Sequence, residues 1–552
     1  MTSKSALLLL SLGIGVGAET LPAAAQVIPP RPRVARSGVP HLDEARLASM
    51  RQAIREHARR VNPEDLAKPP SQAKMLHPLS SHLDTSGPAG MDKKSDNRPG
   101  HGPQRSVSFR VAAIETKSHS GAPAASGDQG KTAGAAGKQA SANTSLQASN
   151  PSTPGPDRPP SVLPAGYHPN VFVSRPGRLD WTYVVSDSSL DRAPSAMTAG
   201  YVSTRQNYEL YVPPDYNPLR PCPMIIHVAT GPRSDSWAQW QNTARVHHLI
   251  VAGAHNAGNS VPTPLRARIT LDVLDDVRRR FRIDPDRTYI SGMSGGGKTA
   301  AEIAFALPEL FGGLIAICGC WNLRAEPMMR QRVSERLSVA VLTGATDFNR
   351  PELEREFFPI LLQHGARSLL QVYPGIGHSY PNAGQLDQVF RWTEQGLPAR
   401  RLSGALFPAS RLTTAATPSD WSTALVLEAS QRLQLPGGTA PGLFLLQGVV
   451  NRWQGLPAAN LAKSLLDEFD KSSPVPSKEI YRTEMLRFRY LQAHMFDGIV
   501  NGPLPPNYPV PRSNLVNIAI WLWTDIQNLS PKDGPVAREA NNRLAQLHRL
   551  GG

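Results

Sequence analysis

The sequence predicts an α/β fold with a doubly wound, mostly parallel sheet. This domain, residues 161–400, follows a low-complexity and largely disordered basic region (26–160) and precedes an all-helical region (416–550). Two observations lead to the prediction. Short apolar runs typical of buried parallel strands alternate with amphipathic segments between 161 and 400. Near the middle, residues 287–299 form a β-rich run, a glycine-dense turn and the start of a helix.

The strands and helices of the sheet domain follow from their hydrophobic periodicity. Apolar or alternating runs predict strands at 180–185, 207–212, 224–228, 249–252, 313–318, 338–343 and 368–373, besides the one that enters the turn. Periodic segments predict helices at 236–246, 266–281, 299–307, 353–364 and 386–395. The helix at 266–281 places its apolar residues on one face and its Arg and Asp residues on the other. Helices alternating with apolar strands cover both faces of a parallel sheet.

The C-terminal region has a different pattern, because helix-prone segments follow one another without a convincing strand. They resemble paired helical hairpins, although no consensus repeats at a fixed period. We expect this region to pack or to bind a protein partner rather than to catalyse. The six predicted helices are 420–432, 440–454, 458–469, 478–496, 515–528 and 535–550.

Charge and composition set the N-terminal part of the chain apart. The 552 residues carry a formal net charge of +15 and include 52 Pro and 44 Gly. Between Val27 and Pro160 there are 19 Lys and Arg against 11 Asp and Glu, a net of +8. Such a composition buries too little apolar surface to fold, apart from an isolated amphipathic helix predicted at 42–61. Because aromatic residues do not interleave with the basic ones, we expect a solvated region and no nucleic acid partner.

The first 25 residues have the features of a secretory signal peptide. Lys4 supplies a positive charge, residues 6–18 are apolar, and Ala23-Ala24-Ala25 precedes Gln26 as a cleavage site. The apolar run is shorter than the roughly 18–20 residues that a membrane span needs. We therefore expect an exported protein, periplasmic or extracellular, with no membrane span.

The cysteines give no sign of a disulfide scaffold or a metal site. Cys222, Cys318 and Cys320 are the only three, and they lack metal-ligand spacing. Within a strand, side chains two residues apart lie about 6.5–7 Å from each other, which disfavours a bridge between Cys318 and Cys320. We expect neither a cofactor nor a metal.

The glycine-rich turn satisfies two motifs at once. Gly292-x-Ser294-x-Gly296 is the nucleophile elbow of a serine hydrolase, in which glycines permit a strained turn that exposes the serine oxygen. Residues 292–299 also fit the phosphate-binding P-loop, with Lys298 as its lysine. Both motifs require a strand before the turn and a helix after it, so the turn alone does not discriminate.

Residues further along the chain favour the hydrolase. A P-loop fold needs an acid at the end of another buried strand to hold magnesium, and the next strand ends at Cys318 without one. A serine nucleophile needs an imidazole base and a carboxylate that orients it. Asp347 follows a predicted strand 53 residues after Ser294, and His378 follows the next strand 31 residues later. This is the order of α/β-hydrolases, and each residue falls at the carboxyl end of a strand.

Residues 165–400 therefore resemble the α/β-hydrolase superfamily, and in particular the secreted polyhydroxybutyrate depolymerase-like esterases, which include feruloyl and acetylxylan esterases. The resemblance implies that Ser294 is the nucleophile, His378 the general base and then acid, and Asp347 its orienting partner. It also implies an ester substrate, either a small molecule or a polymer. The motifs that match are residues 208–213, 283–287 and 292–296, Gly344-x-x-Asp347, and Gly377-His378.

The predicted oxyanion hole departs from this family. Its first donor is the backbone N–H of Gly295, and its second is that of Ala229 or Thr230. The family's strand before this loop usually ends in His-Gly, whereas here it ends in His227-Val228. His227 is therefore interpreted as a structural anchor. The same departure motivates the alternative of a catalytically silent hydrolase fold that serves as a binding platform.

Some other polar and aromatic residues have both a structural and a functional interpretation. His255 follows a strand and is a candidate for contact with substrate, whereas His247 and His248 are expected to be surface or packing residues. Lys298 is expected to be partly exposed or ion-paired. Three tryptophans near the expected mouth fit either an aromatic wall or core packing: Trp237, Trp240 and Trp321.

Overall fold

The computed structural model describes residues 48–52, 54–55, 59, 161–185, 198–411, 417–504, 508 and 510–551, all of them in one compact unit. The predicted signal peptide and the predicted low-complexity segment from residue 62 to 160 lie outside the described residues. Both therefore stay predictions, as do the domain boundaries. Among the described residues, no helix combines the length and the apolar character that crossing a bilayer requires.

An eight-stranded sheet forms the centre of the described chain. Its strands lie in the order β1-β2-β4-β3-β5-β6-β7-β8. β2 pairs antiparallel with both β1 and β4, and the remaining neighbours are parallel. The predicted doubly wound, mostly parallel sheet is confirmed. The strands are β1 Gly166–Phe172, β2 Asn207–Val212, β3 Cys222–Val228, β4 Ile250–Ala254, β5 Ile283–Met293, β6 Gly313–Ile317, β7 Ser338–Gly344 and β8 Arg367–Tyr373.

Helices cover the two faces of the sheet. The α-helices are α1 Thr182–Val185, α2 Ser236–His247, α3 Thr263–Arg280, α4 Gly295–Ala306, α5 Pro327–Arg336, α6 Arg350–Glu352, α7 Phe358–Gln363, α8 Ala383–Glu394 and α9 Leu397–Leu406. A π-helical turn, Leu353–Phe357, joins α6 to α7, and 3-10 turns lie at Ser203–Arg205, Pro308–Leu310 and Pro408–Ser410. Side chains of α3, α4 and α5 pack on one face with Ile226, and those of α2 and α8 on the other with Ile225. Adjacent residues of β3 thus serve opposite cores, as a strand buried on both faces requires.

The six predicted C-terminal helices are all present. The first three share the hydrophobic core of the sheet: Leu425 and Trp453 belong to the same buried cluster as Met328 of α5. The last two helices and the C-terminal part of the helix before them form a separate cluster around Trp523. The helices are α10 Pro418–Leu433, α11 Thr439–Arg452, α12 Pro457–Ser472, α13 Ser477–Asn501, α14 Arg512–Leu529 and α15 Pro535–Gly551.

The strand predicted at 180–185 is wrong, because this segment forms the short helix α1. The Asp180 carboxylate accepts hydrogen bonds from the backbone N–H of Thr182 (3.2 Å) and from its hydroxyl (2.6 Å). An acidic side chain that caps the first N–H groups stabilises a helix start. Tyr183 and Val184 are then buried from a helix rather than from a strand. Local capping therefore outweighed the β propensity of the apolar residues.

The edge strand β1 was not predicted from the sequence. Pro169 lies in its middle, and proline within a strand is tolerated at an edge, where no donor is needed on the outer side. The Tyr167 hydroxyl donates to the Glu209 carboxylate of β2 at 2.7 Å, which fixes the side chains of the two strands. Helices α5 and α9 were also missed.

The polar face of α3 is buried rather than solvated. Asp272, Asp275 and Asp276 are at most 5% exposed. The Asp275 carboxylate accepts three N–H donors of Arg178, its backbone N–H, Nε and one terminal nitrogen. The Asp276 carboxylate accepts the hydroxyl of Tyr208 at 2.7 Å. The chain that follows β1 supplies part of these partners, so a helix face that resembles a surface stripe lies inside the protein.

The N-terminal helix is helical where it is described, at residues 48–52 and 54–55, but it is not isolated. Met50 and Ile54 are 4% and 0% exposed and belong to the same cluster as the sheet. Arg55 forms a 2.9 Å ion pair with Glu468 of α12. An amphipathic helix in a polar sequence context thus docks by its apolar side.

Candidate active site

Ser294 occupies the turn between β5 and α4 with a backbone that non-glycine residues rarely adopt. Its φ is 54° and its ψ is −123°. The turn is compact: a Cβ on Gly292 would lie 2.3 Å from the carbonyl oxygen of Gly296, and one on Gly297 would lie 2.3 Å from that of Gly319. Only glycine permits these approaches. The chain therefore forms the strand–turn–helix that presents Ser294 at the carboxyl edge of the sheet.

Of the three residues singled out in the sequence, His378 lies within hydrogen-bonding reach of both Ser294 and Asp347. His378 Nε2 is 2.9 Å from Ser294 Oγ, and His378 Nδ1 is 2.8 Å from an oxygen of Asp347. The two ring nitrogens thus join the serine to the carboxylate. Together with the strand order and the reversed β2, this places the elbow after β5, the acid after β7 and the histidine after β8. Residues 166–394 have the α/β-hydrolase fold.

Solved structures similar to this fold come from several hydrolases. A thermostable esterase is 22% identical, with 35% of this chain and 58% of that chain covered and a TM-score of 0.28. A ferulic acid esterase is 15% identical, with 35% and 92% covered and a TM-score of 0.29. A poly(3-hydroxybutyrate) depolymerase from Bordetella parapertussis is 16% identical, with 33% and 88% covered and a TM-score of 0.26. The chain spans just over half the length of the thermostable esterase.

No protein-family model and no curated protein matches the sequence. The likenesses to solved structures are weak, with TM-scores below 0.3.

The Asp347 carboxylate is held by donors on all sides. Its Oδ2 accepts the hydroxyl of Thr343 at 2.8 Å, and its Oδ1 accepts the backbone N–H of Asn349 at 2.9 Å as well as His378. Burial acts to raise the pKa of Asp347. The hydrogen bonds from His378, Asn349, the Cys318 thiol and Thr343 outweigh it and leave the pKa below its usual value. Asp347 is therefore a carboxylate at neutral pH.

The loops that carry Asp347 and His378 are bound to each other. The N–H of Ala345 donates to the carbonyl of Tyr373 at 2.8 Å, and that of Thr346 to the carbonyl of Ile376 at 3.2 Å. The ring of Phe348 stacks on the imidazole of His378, with centroids 4.2 Å apart. The imidazole is thus fixed both by hydrogen bonds and by ring packing.

His227 is buried beneath the histidine loop, as expected of a structural anchor. It is 1% exposed, and its Nε2 lies 3.0 Å from the hydroxyl of Tyr380, two residues beyond His378. Its Nδ1 lies 3.1 Å from the hydroxyl of Ser291 on β5. This ring therefore links β3 and β5 to the loop that carries His378.

The predicted oxyanion residues lie side by side at the elbow. Gly295 is the first residue of α4, and the first N–H groups of a helix have no partner within it. The loop after β3 passes against the next residue: a Cβ on Gly296 would lie 2.1 Å from the carbonyl oxygen of Val228 and 3.3 Å from that of Ala229. Ala229 is 2% exposed and Thr230 is half-buried. Both remain candidates for the second donor.

Lys298 forms an ion pair instead of facing the turn. Its ammonium lies 3.1 Å from the carboxylate of Glu352 and 5.7 Å from the ring centre of Trp321. The N–H of Ser294, which a phosphate-binding turn would direct at the ligand, donates to the carbonyl of Ile317 at 2.7 Å. These contacts match the partly exposed or ion-paired lysine expected from the sequence and count against the P-loop interpretation.

The other residues with two interpretations have mainly structural contacts. His255 is 6% exposed, and its ring nitrogens bind the carbonyl of Pro169 and the N–H of Ser234. His247 and His248 pair with Asp387 and Asp215. Trp240 is fully buried and Trp237 stacks on Tyr211, whereas Trp321 is 44% exposed.

One group of side chains has the chemistry of a metal site. Single ligand atoms of Cys318, Asp347 and His378 lie within 4.8 Å of one another. However, the carboxylate and the imidazole are bonded to each other, and burial raises the pKa of the Cys318 thiol well above its usual value. All three cysteines are buried and free. That no metal or cofactor takes part stays a prediction.

The residues that support the three central side chains were not predicted from the sequence. Thr343 and Asn349 flank Asp347 in the sequence, so the donor types within four residues of a candidate acid were a usable signal. Tyr380 and Arg266 had no such signal, because their contacts join distant parts of the chain.

Proposed function

We propose that this protein is an exported serine hydrolase that cleaves carboxylic esters through an acyl-serine intermediate. The observation that carries the proposal is the position of His378, with one ring nitrogen on Ser294 and the other on Asp347. In this role Asp347 holds the proton on Nδ1 and leaves Nε2 free to accept the proton of the serine.

In the acylation step, the Ser294 oxygen attacks the ester carbonyl carbon while His378 Nε2 takes the hydroxyl proton. The carbonyl π electrons move to the oxygen, which the N–H of Gly295 and that of Ala229 or Thr230 stabilise. The intermediate then reforms the carbonyl and breaks the bond to the alcohol oxygen. The departing alkoxide takes the proton from His378, which leaves an acyl-serine and a free alcohol.

Deacylation repeats the sequence with water. His378 takes a proton from the water as its oxygen attacks the acyl carbon, and the oxyanion occupies the same backbone donors. Collapse breaks the bond to Ser294 Oγ, which recovers its proton from His378 and releases the acid. The lowered pKa of Asp347 supports this cycle, since a carboxylate stabilises the imidazolium formed twice in it.

The test compares the chain lacking residues 1–25 with its Ser294→Ala variant on short-chain nitrophenyl esters. The helical region is retained, because it shares the core of the sheet and its removal would expose Met328 and its neighbours. Ser334→Ala is the matched control, since the Ser334 hydroxyl donates to two backbone carbonyls, that of Arg330 on α5 and that of His364 after α7. We expect Ser294→Ala alone to lose hydrolysis. Equal rates in the wild type and Ser294→Ala would overturn the proposal.

A second candidate is a catalytically silent hydrolase fold that binds a partner. The observation in its favour is His227-Val228 in place of the usual His-Gly before the oxyanion loop. An organophosphonate probe separates the two candidates. Stoichiometric labelling of Ser294, located by peptide mass analysis, supports the hydrolase, whereas unlabelled folded protein supports the silent platform.

Export and partner binding extend the proposal. Export is tested by expressing the full chain and determining the N-terminal residue of the protein outside the cytoplasm, which we expect to be Gln26. The C-terminal helices are proposed to bind a protein partner, and Trp521 of α14, 54% exposed, is the side chain to replace in such a test. The ester itself is proposed as a small molecule or a polymer.

A further inference from the structure

Arg266 joins three segments that surround the candidate oxyanion site. It lies in the first turn of α3 and is 4% exposed. Its Nε donates to the carbonyl of Ala257 at 2.8 Å, in the loop after β4. One terminal nitrogen donates to the carbonyl of Gly295 at 3.0 Å, and the other to that of Ala229 at 3.0 Å. One planar group thus contacts the elbow helix and the loops after β3 and β4.

The contacts of Arg266 are made to backbone rather than to acids. Among the described residues, the three hydrogen bonds of its guanidinium all end on backbone carbonyl oxygens. Burial lowers the pKa of Arg266 to about 10, against an opposing effect of Glu302, so the group stays charged at neutral pH. A buried charge without an ion-pair partner is costly, and it is retained here with its donors on three carbonyls.

We propose that Arg266 is a positioning residue that holds the backbone donors of the oxyanion hole in place. The inference rests on the proposed function, since an oxyanion forms only if Ser294 attacks a carbonyl. In this role, a side chain that takes no part in the chemistry fixes the relative positions of Gly295, Ala229 and Thr230.

Peptide geometry explains how a bond to a carbonyl sets an N–H. The carbonyl of Ala229 and the N–H of Thr230 belong to one planar trans peptide and point in opposite directions. Fixing that carbonyl on Arg266 therefore fixes the direction of the Thr230 N–H. The loop after β4 adds a second bond, because the N–H of Asn259 donates to the carbonyl of Thr230 at 2.8 Å.

The guanidinium is suited to this task by its shape. Its donors form a rigid planar fork, so three bonds fix the distance and the angle between the segments at once. A lysine ammonium on a flexible stem keeps the charge but does not impose that geometry. Arg266→Lys therefore separates the positive charge from the fork, and Arg266→Met removes both.

Arg400 provides a matched control at the opposite edge of the sheet. It is 2% exposed, and its guanidinium donates to the carbonyls of Asp286 and Thr393 and to the hydroxyl of Ser338, the first residue of β7. It therefore has the same burial and similar partners at the amino ends of the strands, away from Ser294. A loss of packing alone would affect both arginines alike.

The experiment measures kcat and KM for a nitrophenyl ester, together with the affinity for a trifluoromethyl ketone, which forms a tetrahedral adduct with a serine. Variants of the chain from residue 26 to 552 are compared at temperatures where circular dichroism shows each to be folded. We expect Arg266→Met to lower kcat by about 10²–10³-fold, the effect of losing one oxyanion donor. The ketone affinity should fall in proportion, with KM changed by less than about threefold. Arg266→Lys should lower kcat by about tenfold.

Two results would overturn the inference alone: both Arg266 variants keeping kcat within about threefold of the wild type, or Arg400→Met losing as much kcat as Arg266→Met. If Arg266→Met does not fold, Arg266→Lys decides by the same criterion. Wild-type protein that neither hydrolyses the ester nor is labelled at Ser294 overturns the proposed function, and this inference with it.

Discussion

The carbonyl of Ile376 lies where a side chain on Gly344 would stand. A Cβ on Gly344 would be 2.2 Å from that oxygen and 2.3 Å from the carbonyl oxygen of Gly377. Distances below 3.0 Å require the backbone to move. The glycine that ends β7 therefore sets how closely the His378 loop approaches Asp347.

We expect Gly344→Ala to displace the His378 loop and to lower kcat by about 10²-fold, the effect of moving a reacting group by roughly 1 Å. Steady-state kinetics with a nitrophenyl ester measure it. Gly498→Ala is the control, since a Cβ there meets nothing within 4 Å in the last turn of α13. It should leave kcat unchanged. A Gly344→Ala enzyme with wild-type kcat would show that the loop tolerates the shift.

Asp347→Asn is expected to lower kcat by about 10³–10⁴-fold with little change in KM, because an amide no longer selects the Nδ1–H tautomer of His378. Thr343→Val removes only the hydroxyl that donates to Oδ2 of Asp347, and it should lower kcat far less. The two variants are compared by single-turnover acylation. Equal losses in both would mean that Asp347 acts through packing and not through the imidazole.

Lys298→Met is expected to leave kcat within about threefold of the wild type, because the ammonium binds Glu352 and not the reacting groups. Thermal unfolding should show a loss of about 1 kcal/mol or somewhat more, since the pair is half-buried. Magnesium and ATP should not raise the melting temperature of either protein. A nucleotide-dependent shift that Lys298→Met abolishes would restore the P-loop interpretation.

Stability should depend on pH through Glu309, which is fully buried beside Arg452. Burial raises the pKa of this carboxyl from 4.5 to about 7, despite the opposing charge of Arg452. The folded protein thus keeps a proton between pH 4.5 and about 7 that the unfolded chain releases. Because the folded state binds more protons in this window, its stability falls as the pH rises. The shift corresponds to about 3 kcal/mol at most.

Chemical denaturation at several pH values measures this dependence. The stability of Glu309→Gln relative to the wild type should increase from pH 4.5 to 7 and then level off. Glu354→Gln is the control, since Glu354 pairs with Arg350 on the surface side of the π-helical turn. A difference between Glu309→Gln and wild type that does not change with pH would contradict the raised pKa.

Sequence patterns predicted the elements that have a regular hydrophobic period and the polar residues that follow a strand. The apolar strands gave the sheet, and Ser294, Asp347 and His378 lie together because parallel strands end at one edge. Patterns failed where a local cap or a distant partner decided the structure. The strand at 180–185 became a helix capped by Asp180, and the aspartates of α3 found partners in the chain after β1.

Contacts made by single long side chains were equally beyond the sequence. Nothing in the pattern around Arg266 distinguishes it from the other arginines of α3, and its role appears only once three carbonyls surround it. The hydrogen-bond donors to Asp347 were easier to predict, because Thr343 and Asn349 lie within four residues of it in the chain.

Ser294 has a positive φ that glycine adopts freely and serine does not. The folded state therefore stores strain at the proposed nucleophile, about 1–3 kcal/mol. Replacing Ser294 with glycine would relieve it, and a selection for heat resistance alone would favour that exchange. At this position, greater stability and the proposed chemistry are thus mutually exclusive.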